Sequence, residues 1–232
     1  MGPFLFIIIE SVLAEQLRES TMDAGRRLIF VALGDSLTRG FQPYDPSSPF
    51  GYDIPYTDFL DNLIITELSR KGIEDIDVNV VNLGINGDTT RGMLGRFDGQ
   101  VAPEEPGYVI ILGGINDLFM GVPPESIMEN LMGLYEKTRQ IGATPIACTL
   151  TSVLGFEPVI PLIQELNGMI EISCRREGMP LADLYSGTSH QDGRLLEAYS
   201  SDGAHLNREG YERMASIIFD DAVRGIIEDL GH

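Results

Sequence analysis

Leu28-Ile29-Phe30-Val31-Ala32-Leu33-Gly34-Asp35-Ser36-Leu37-Thr38 is the stretch on which the fold turns. Its first six residues are apolar without alternation, the mark of a strand buried on both faces rather than one with a wet side. Gly34 closes the run and polar residues follow at once. Similar runs recur at 78–83, ending at Gly84; at 108–112, ending at Gly113-Gly114; at 145–150; and, shorter, at 181–185. Helical patterns separate them, over 57–70, 125–141 and 159–177, with a last helix over 208–230 for which Asn207 is an N-cap. Buried strands joined by helices predict an α/β chain. The expected architecture is a three-layer α/β/α sandwich with a five-stranded parallel sheet, flavodoxin-like, in strand order 2-1-3-4-5.

There is no internal repeat, no low-complexity segment and no linker after residue 25, so 26–232 is expected to form a single domain. Residues 1–25 are an N-terminal extension, read as a helix packed on the domain or as chain ahead of a start at Met22. Phe4-Leu5-Phe6-Ile7-Ile8-Ile9 and Val12-Leu13-Ala14 have something of a secretory signal, but no Lys or Arg precedes them and Glu10 interrupts. A cytoplasmic protein is the expectation, with secretion the alternative.

Composition narrows the function classes. Of 232 residues 43% are hydrophobic and 22% charged, which excludes wholesale disorder. No apolar run approaches the ~20 residues needed to span a bilayer. Sixteen basic against thirty-five acidic residues give a net charge of −19, which repels nucleic acid and anionic lipid, so no nucleic-acid partner is expected. Cys148 and Cys174 read as buried free thiols rather than a disulfide framework. His190, His205 and His232 are the only histidines, and none stands at metal-ligand spacing from another His or Cys. Neither metal nor organic cofactor is expected.

Ligands of open parallel sheets bind beyond the carboxyl ends of the strands. At those ends lie Gly34-Asp35-Ser36-Leu37-Thr38, Gly84-Ile85-Asn86-Gly87-Asp88-Thr89, Gly113-Gly114-Ile115-Asn116-Asp117 and, before the last helix, Asp202-Gly203-Ala204-His205-Leu206-Asn207. Ser36 sits where a strand turns towards a helix, a place that exposes a side chain and aims backbone N–H groups at it. A serine hydroxyl needs a neighbouring base, which His205 can supply. Asp202, three residues earlier, can hold the imidazole in one tautomer. Gly87 could add an unobstructed N–H and Asn116 a side-chain amide. Asp35, Asp88, Thr89 and Asp117 read as turn and cap residues. His190, in a polar loop, and His232, the final residue, are not expected to act. Tyr44, Phe50 and Tyr52, in the long loop 41–56, are candidates to line a substrate groove.

Gly34-Asp35-Ser36-Leu37, Gly87, Gly114-Ile115-Asn116-Asp117 and Asp202-Gly203-Ala204-His205 resemble the four sequence blocks of the SGNH hydrolases, also called GDSL-type esterases and lipases. The blocks occur in order over residues 34–205. The resemblance implies Ser36 as nucleophile, His205 as base and Asp202 as its partner. It also implies an oxyanion hole from the Ser36 N–H, the Gly87 N–H and the Asn116 amide. Asn86 departs from the usual serine before the second-block glycine, which makes Gly84 a rival to Gly87. The chain has no tryptophan, and Tyr56 or Phe59 takes the place of one that relatives often carry. The expected function is a serine esterase acting on a small-molecule ester or acyl substrate. The alternatives are an acyl thioesterase or lysophospholipase of the same fold and, from another class, a flavodoxin-like protein using Gly34-Asp35-Ser36 as a phosphate or cofactor cradle.

Overall fold

Five parallel strands lie side by side in the order β2-β1-β3-β4-β5, as the alternation of elements predicts. They are β1 (Arg26–Gly34), β2 (Ile76–Gly84), β3 (Tyr108–Leu112), β4 (Thr144–Cys148) and β5 (Leu181–Ala182). The computed structural model describes residues 26–43 and 52–230, so the N-terminal extension, Tyr44, Phe50 and His232 lie outside the described residues. β1 pairs on both flanks, and its last residue Gly34 is in register with Gly84 of β2 and Leu112 of β3. Three of the polar segments therefore leave the sheet at one level, which gathers them at one edge.

Nine helices cover the faces among the described residues: α1 (Ser36–Arg39), α2 (Tyr56–Arg70), α3 (Thr90–Gln100), α4 (Ile115–Phe119), α5 (Pro124–Gln140), α6 (Ile160–Glu177), α7 (Leu184–Thr188), α8 (Arg208–Ile218) and α9 (Arg224–Leu230). Alternate residues of β1 point to opposite faces, so one strand serves two cores. Leu28, Phe30 and Ala32 pack with Tyr56, Leu60 and Ile64 of α2 and with Tyr211, Met214 and Ile218 of α8. Val31 and Leu33 pack with Met93 and Phe97 of α3, Leu131 and Leu134 of α5, and Ile163 and Leu166 of α6. Full burial of one such side chain contributes about 1.5–3 kcal/mol, which is why the unalternating run of β1 sets the architecture.

Three boundaries differ from expectation, the first for a local reason and the other two for tertiary ones. The fifth strand stops at Ala182, because the Asp183 carboxylate accepts the Ser186 N–H and starts α7 at once. The fourth stops at Cys148, since beyond it the Asn167 side chain of α6 takes over pairing, accepting from Leu150 N (2.7 Å) and donating to Leu150 O (3.1 Å). The last helix is not continuous. A π turn over Phe219–Val223 separates α8 from α9, buries Phe219, Ala222 and Val223, and lets Asp221 accept the Asp183 N–H at 3.0 Å. Cys148 and Cys174 are free and buried, and burial pushes both thiols up, Cys174 to about 11.

Candidate active site

The turn after β1 is closed from several sides. A Cβ on Gly34 would stand 2.0 Å from Thr38 Oγ1 and 2.7 Å from the Leu112 carbonyl, so only glycine lets the strand enter this turn. Asp35 caps α1 by accepting the Leu37 N–H at 2.9 Å. The Gly40 and Phe41 N–H groups both return to the Ser36 carbonyl at 3.0 Å. Ser36 is thereby fixed as the first residue of α1, almost buried, with its hydroxyl facing the last polar segment.

There Ser36 Oγ lies 2.9 Å from His205 Nε2, and His205 Nδ1 lies 2.8 Å from Asp202 Oδ2. The turn carrying both residues is preorganised. Asp202 Oδ1 accepts the Ala204 and His205 N–H groups at 3.0 and 2.8 Å, and Ser201 N donates to the His205 carbonyl at 2.9 Å. Burial pushes the Asp202 carboxyl up, but those two N–H bonds and the imidazole outweigh it, and the carboxyl lies below its ordinary range. The Phe41 ring packs on the imidazole, centroids 4.6 Å apart. With Nδ1 carrying the proton towards Asp202, Nε2 is free to accept from the Ser36 hydroxyl.

The three expected oxyanion donors differ in how far they are engaged. Neither the Ser36 N–H nor the Gly87 N–H donates to another group among the described residues. Gly87 has φ +76°, and nothing lies within 4 Å of where a Cβ would be. The rival Gly84 is occupied: its N–H donates to Asn82 Oδ1 at 2.9 Å, and its missing side chain makes room for the Arg39 backbone. Asn116, half-buried at the start of α4, donates one amide hydrogen to the Asp88 carbonyl at 2.8 Å. Its nitrogen is 3.5 Å from Asp35 Oδ2, too long for a strong bond, which leaves the second hydrogen available.

A family model described as the GDSL-like Lipase/Acylhydrolase family matches residues 32–213, a span holding all four blocks. The chain belongs to that family. It is 40% identical over 74 residues to the Esterase TesA of Pseudomonas aeruginosa, and 32% identical over 117 residues to an arylesterase of Vibrio mimicus. Those stretches cover 32% and 50% of this chain but only 37% and 51% of the relatives. Among solved structures, a lipase/acylhydrolase from Enterococcus faecalis superposes with a TM-score of 0.67 at 27% identity, covering 87% of this chain and 96% of that one.

Around the serine of this GDSL-family chain the other polar residues have structural partners. Asp117 accepts Thr90 N (2.9 Å) and Thr90 Oγ1 (2.8 Å), which ties α4 to α3. Thr89 caps α3 through Gly92 N. His190 sits in an exposed turn, 3.3 Å from Asp192. Tyr56 is fully buried, whereas Phe59 is partly buried and lies under the Arg208 guanidinium. The Leu37 N–H that a phosphate cradle would need is already held by Asp35. Among the described residues no three His, Cys, Asp or Glu side chains group as a metal site, and no helix is long and apolar enough to cross a membrane.

One residue the motifs did not flag is Arg96, which reaches from α3 to the ends of β1 and β2. Two of its four partners are backbone carbonyls, which leave no residue type in the sequence to point to them.

Asp35 is the most perturbed acid here. Burial raises its carboxyl from 3.8 to about 7; the Leu37 N–H opposes this, and the Asp88 and Asp117 carboxylates add to it. Folding therefore takes up a proton between those two values, so this group's contribution to stability falls as pH rises through that window. Asp35→Asn should remove the effect. The melting temperature of the variant, minus that of the wild type, is expected to climb between pH 4 and 7. A difference independent of pH would show that Asp35 stays ionised in the fold.

Proposed function

We propose that this chain is a serine esterase that hydrolyses carboxylic esters through an acyl-enzyme on Ser36, with 26–232 as its catalytic domain. The observation that carries this reading is the hydrogen-bonded line from Asp202 through His205 to Ser36, at 2.8 and 2.9 Å. Ser36 Oγ attacks the ester carbonyl carbon while its proton passes to His205 Nε2. The carbonyl oxygen becomes an oxyanion held by the Ser36 and Gly87 N–H groups and the Asn116 amide. As the carbonyl re-forms, the ester C–O bond breaks and His205 returns the proton to the leaving alcohol. Water then attacks the acyl-enzyme, with His205 again taking a proton, and releases the acid and free Ser36.

Apolar side chains exposed beside this line favour an acyl chain over acetate. Phe119 and Phe156 meet edge to face at 5.7 Å, and Phe156 neighbours Gly203 in the turn that carries His205. On the other side a cavity of about 440 Å³ is lined by Arg39, Phe41, Tyr52, Asp53, Ile85 and Asn86. Arg39 is already paired with Asp53, and the chain carries −19 overall, so a polyanionic thioester such as an acyl-CoA is disfavoured against a neutral ester.

Nitrophenyl esters of graded chain length, with an acyl-CoA alongside, test the reading. A burst of nitrophenol followed by steady turnover is expected. kcat/KM should rise at least roughly tenfold from acetyl to octanoyl, since each buried methylene contributes about 0.8 kcal/mol. The acyl-CoA should be slower and should gain from added salt. Folded protein that turns over none of these would overturn the proposal.

A further inference from the structure

Behind the loop that carries Gly87 stands a guanidinium that the reaction above does not use. Arg96 on α3 has a side chain only 11% exposed. Four of its five N–H donors are engaged, three of them inward: Nε to Asp88 Oδ2 (2.7 Å) and Nη2 to the Gly34 carbonyl (3.0 Å) and the Leu83 carbonyl (2.8 Å), while Nη1 meets Gln100 Oε1 (2.9 Å) at the surface. Gly34 is the residue before the Asp35-Ser36 turn, and Leu83 the residue before Gly84. One side chain thus grips the ends of both strands and, through Asp88, the loop between them and α3. Asp88 in turn offers its carbonyl to the Asn116 amide.

We propose that Arg96 is a positioning residue of the oxyanion pocket, locking the 85–88 segment onto the ends of β1 and β2 so that the Gly87 N–H and the Asn116 amide face the reacting carbonyl together. The proposal rests on the serine-esterase reading and goes beyond it. Two physical arguments support it. Carbonyls at the ends of neighbouring strands, and a carboxylate as enclosed as that of Asp88, need partners, and the planar fork of arginine reaches all three from one place. The Asn116 amide also stands among acidic residues: its nitrogen is 3.5 Å from Asp35 Oδ2 and donates to the Asp88 carbonyl, Asp117 follows it in the chain, and among the described residues Arg96 alone forms an ion pair with any of the three, at Asp88. A neutral ester in its ground state barely senses that field, whereas the oxyanion does. Loss of Arg96 should therefore fall on kcat and spare KM.

The test compares Arg96→Lys, Arg96→Gln and Asp88→Asn with wild type on a neutral nitrophenyl ester, with active sites counted by the burst so that unfolded protein is discounted. Each folded Arg96 variant is expected to lose about 10- to 100-fold in kcat per site, as a donor displaced by an ångström would, with KM changed by less than about threefold. Asn116→Ala removes a donor outright and should cost about 10²–10³. In that background Arg96→Gln should cost much less than it does alone, because the amide it positions is gone. A purely structural arginine would lower the melting temperature and leave kcat per site intact. That result overturns the proposal, as does a loss lying wholly in KM or a pair of costs that simply multiply. If neither Arg96 variant folds, Asp88→Asn keeps both carbonyl bonds and decides alone, with a kcat equal to wild type counting against the proposal. If folded wild type turns over no ester at all, the esterase reading fails and this proposal falls with it.

Discussion

Ser36→Ala is expected to lower kcat by about 10⁶ on the serine-esterase reading, as loss of the nucleophile does in serine hydrolases. A fluorophosphonate should label Ser36 in the native protein and leave the variant untouched. The size of the effect follows from how little could replace the serine. Among the described residues Ser36 is the hydroxyl in contact with a histidine ring, and the buried Cys148 thiol is pushed far from the thiolate range. Water attacking without a covalent intermediate would retain only what the oxyanion donors provide. Label on another residue, or hydrolysis within about tenfold of wild type, would reassign the nucleophile.

Asp202→Asn is the second large effect, about 10⁴ in kcat. The amide keeps the size of the carboxylate but can turn an N–H towards Nδ1, which places the imidazole proton on Nε2 and removes the acceptor Ser36 needs. A stability signature accompanies it. Because the native carboxyl lies below its ordinary 3.8, it contributes stability that is present above that value and lost as pH falls through the native one. The difference in melting temperature between wild type and variant should thus be larger at pH 7 than at pH 3. His190→Ala should leave both rate and stability near wild type, since His190 sits in an exposed turn. A fall in rate there would mean that the base is misassigned.

What the sequence disclosed, and what it did not, follows from the range of the forces involved. The run 28–33 needed both faces covered, so the sandwich could be read from it, and the strand order from the alternation of strands and helices. Ser36, Asp202 and His205 were legible because each belongs to a short segment whose residue types already suggest chemistry. Gly84 and Gly87 could not be separated from spacing; the difference lies in the Asn82 side chain and the Arg39 backbone, both brought in by folding. The π turn after α8 goes with Asp183 and Asp221 meeting across 38 positions. Arg96 was silent for the same reason, since the Gly34 carbonyl it holds is 62 positions away and carries no residue identity.

The 169 positions between Ser36 and His205 bear on when the protein becomes active during its own synthesis. β1 can find β2 and then β3 while the second half of the chain is still being made, since both partners precede residue 113. The imidazole arrives only after the ribosome has passed the fifth strand, and its turn is backed by α8, whose apolar face completes one of the two cores. A chain that ends before residue 202 lacks Asp202 and His205, and with them the contact to Ser36. On the serine-esterase reading, such a chain would be inert towards esters until the turn that carries His205 is in place.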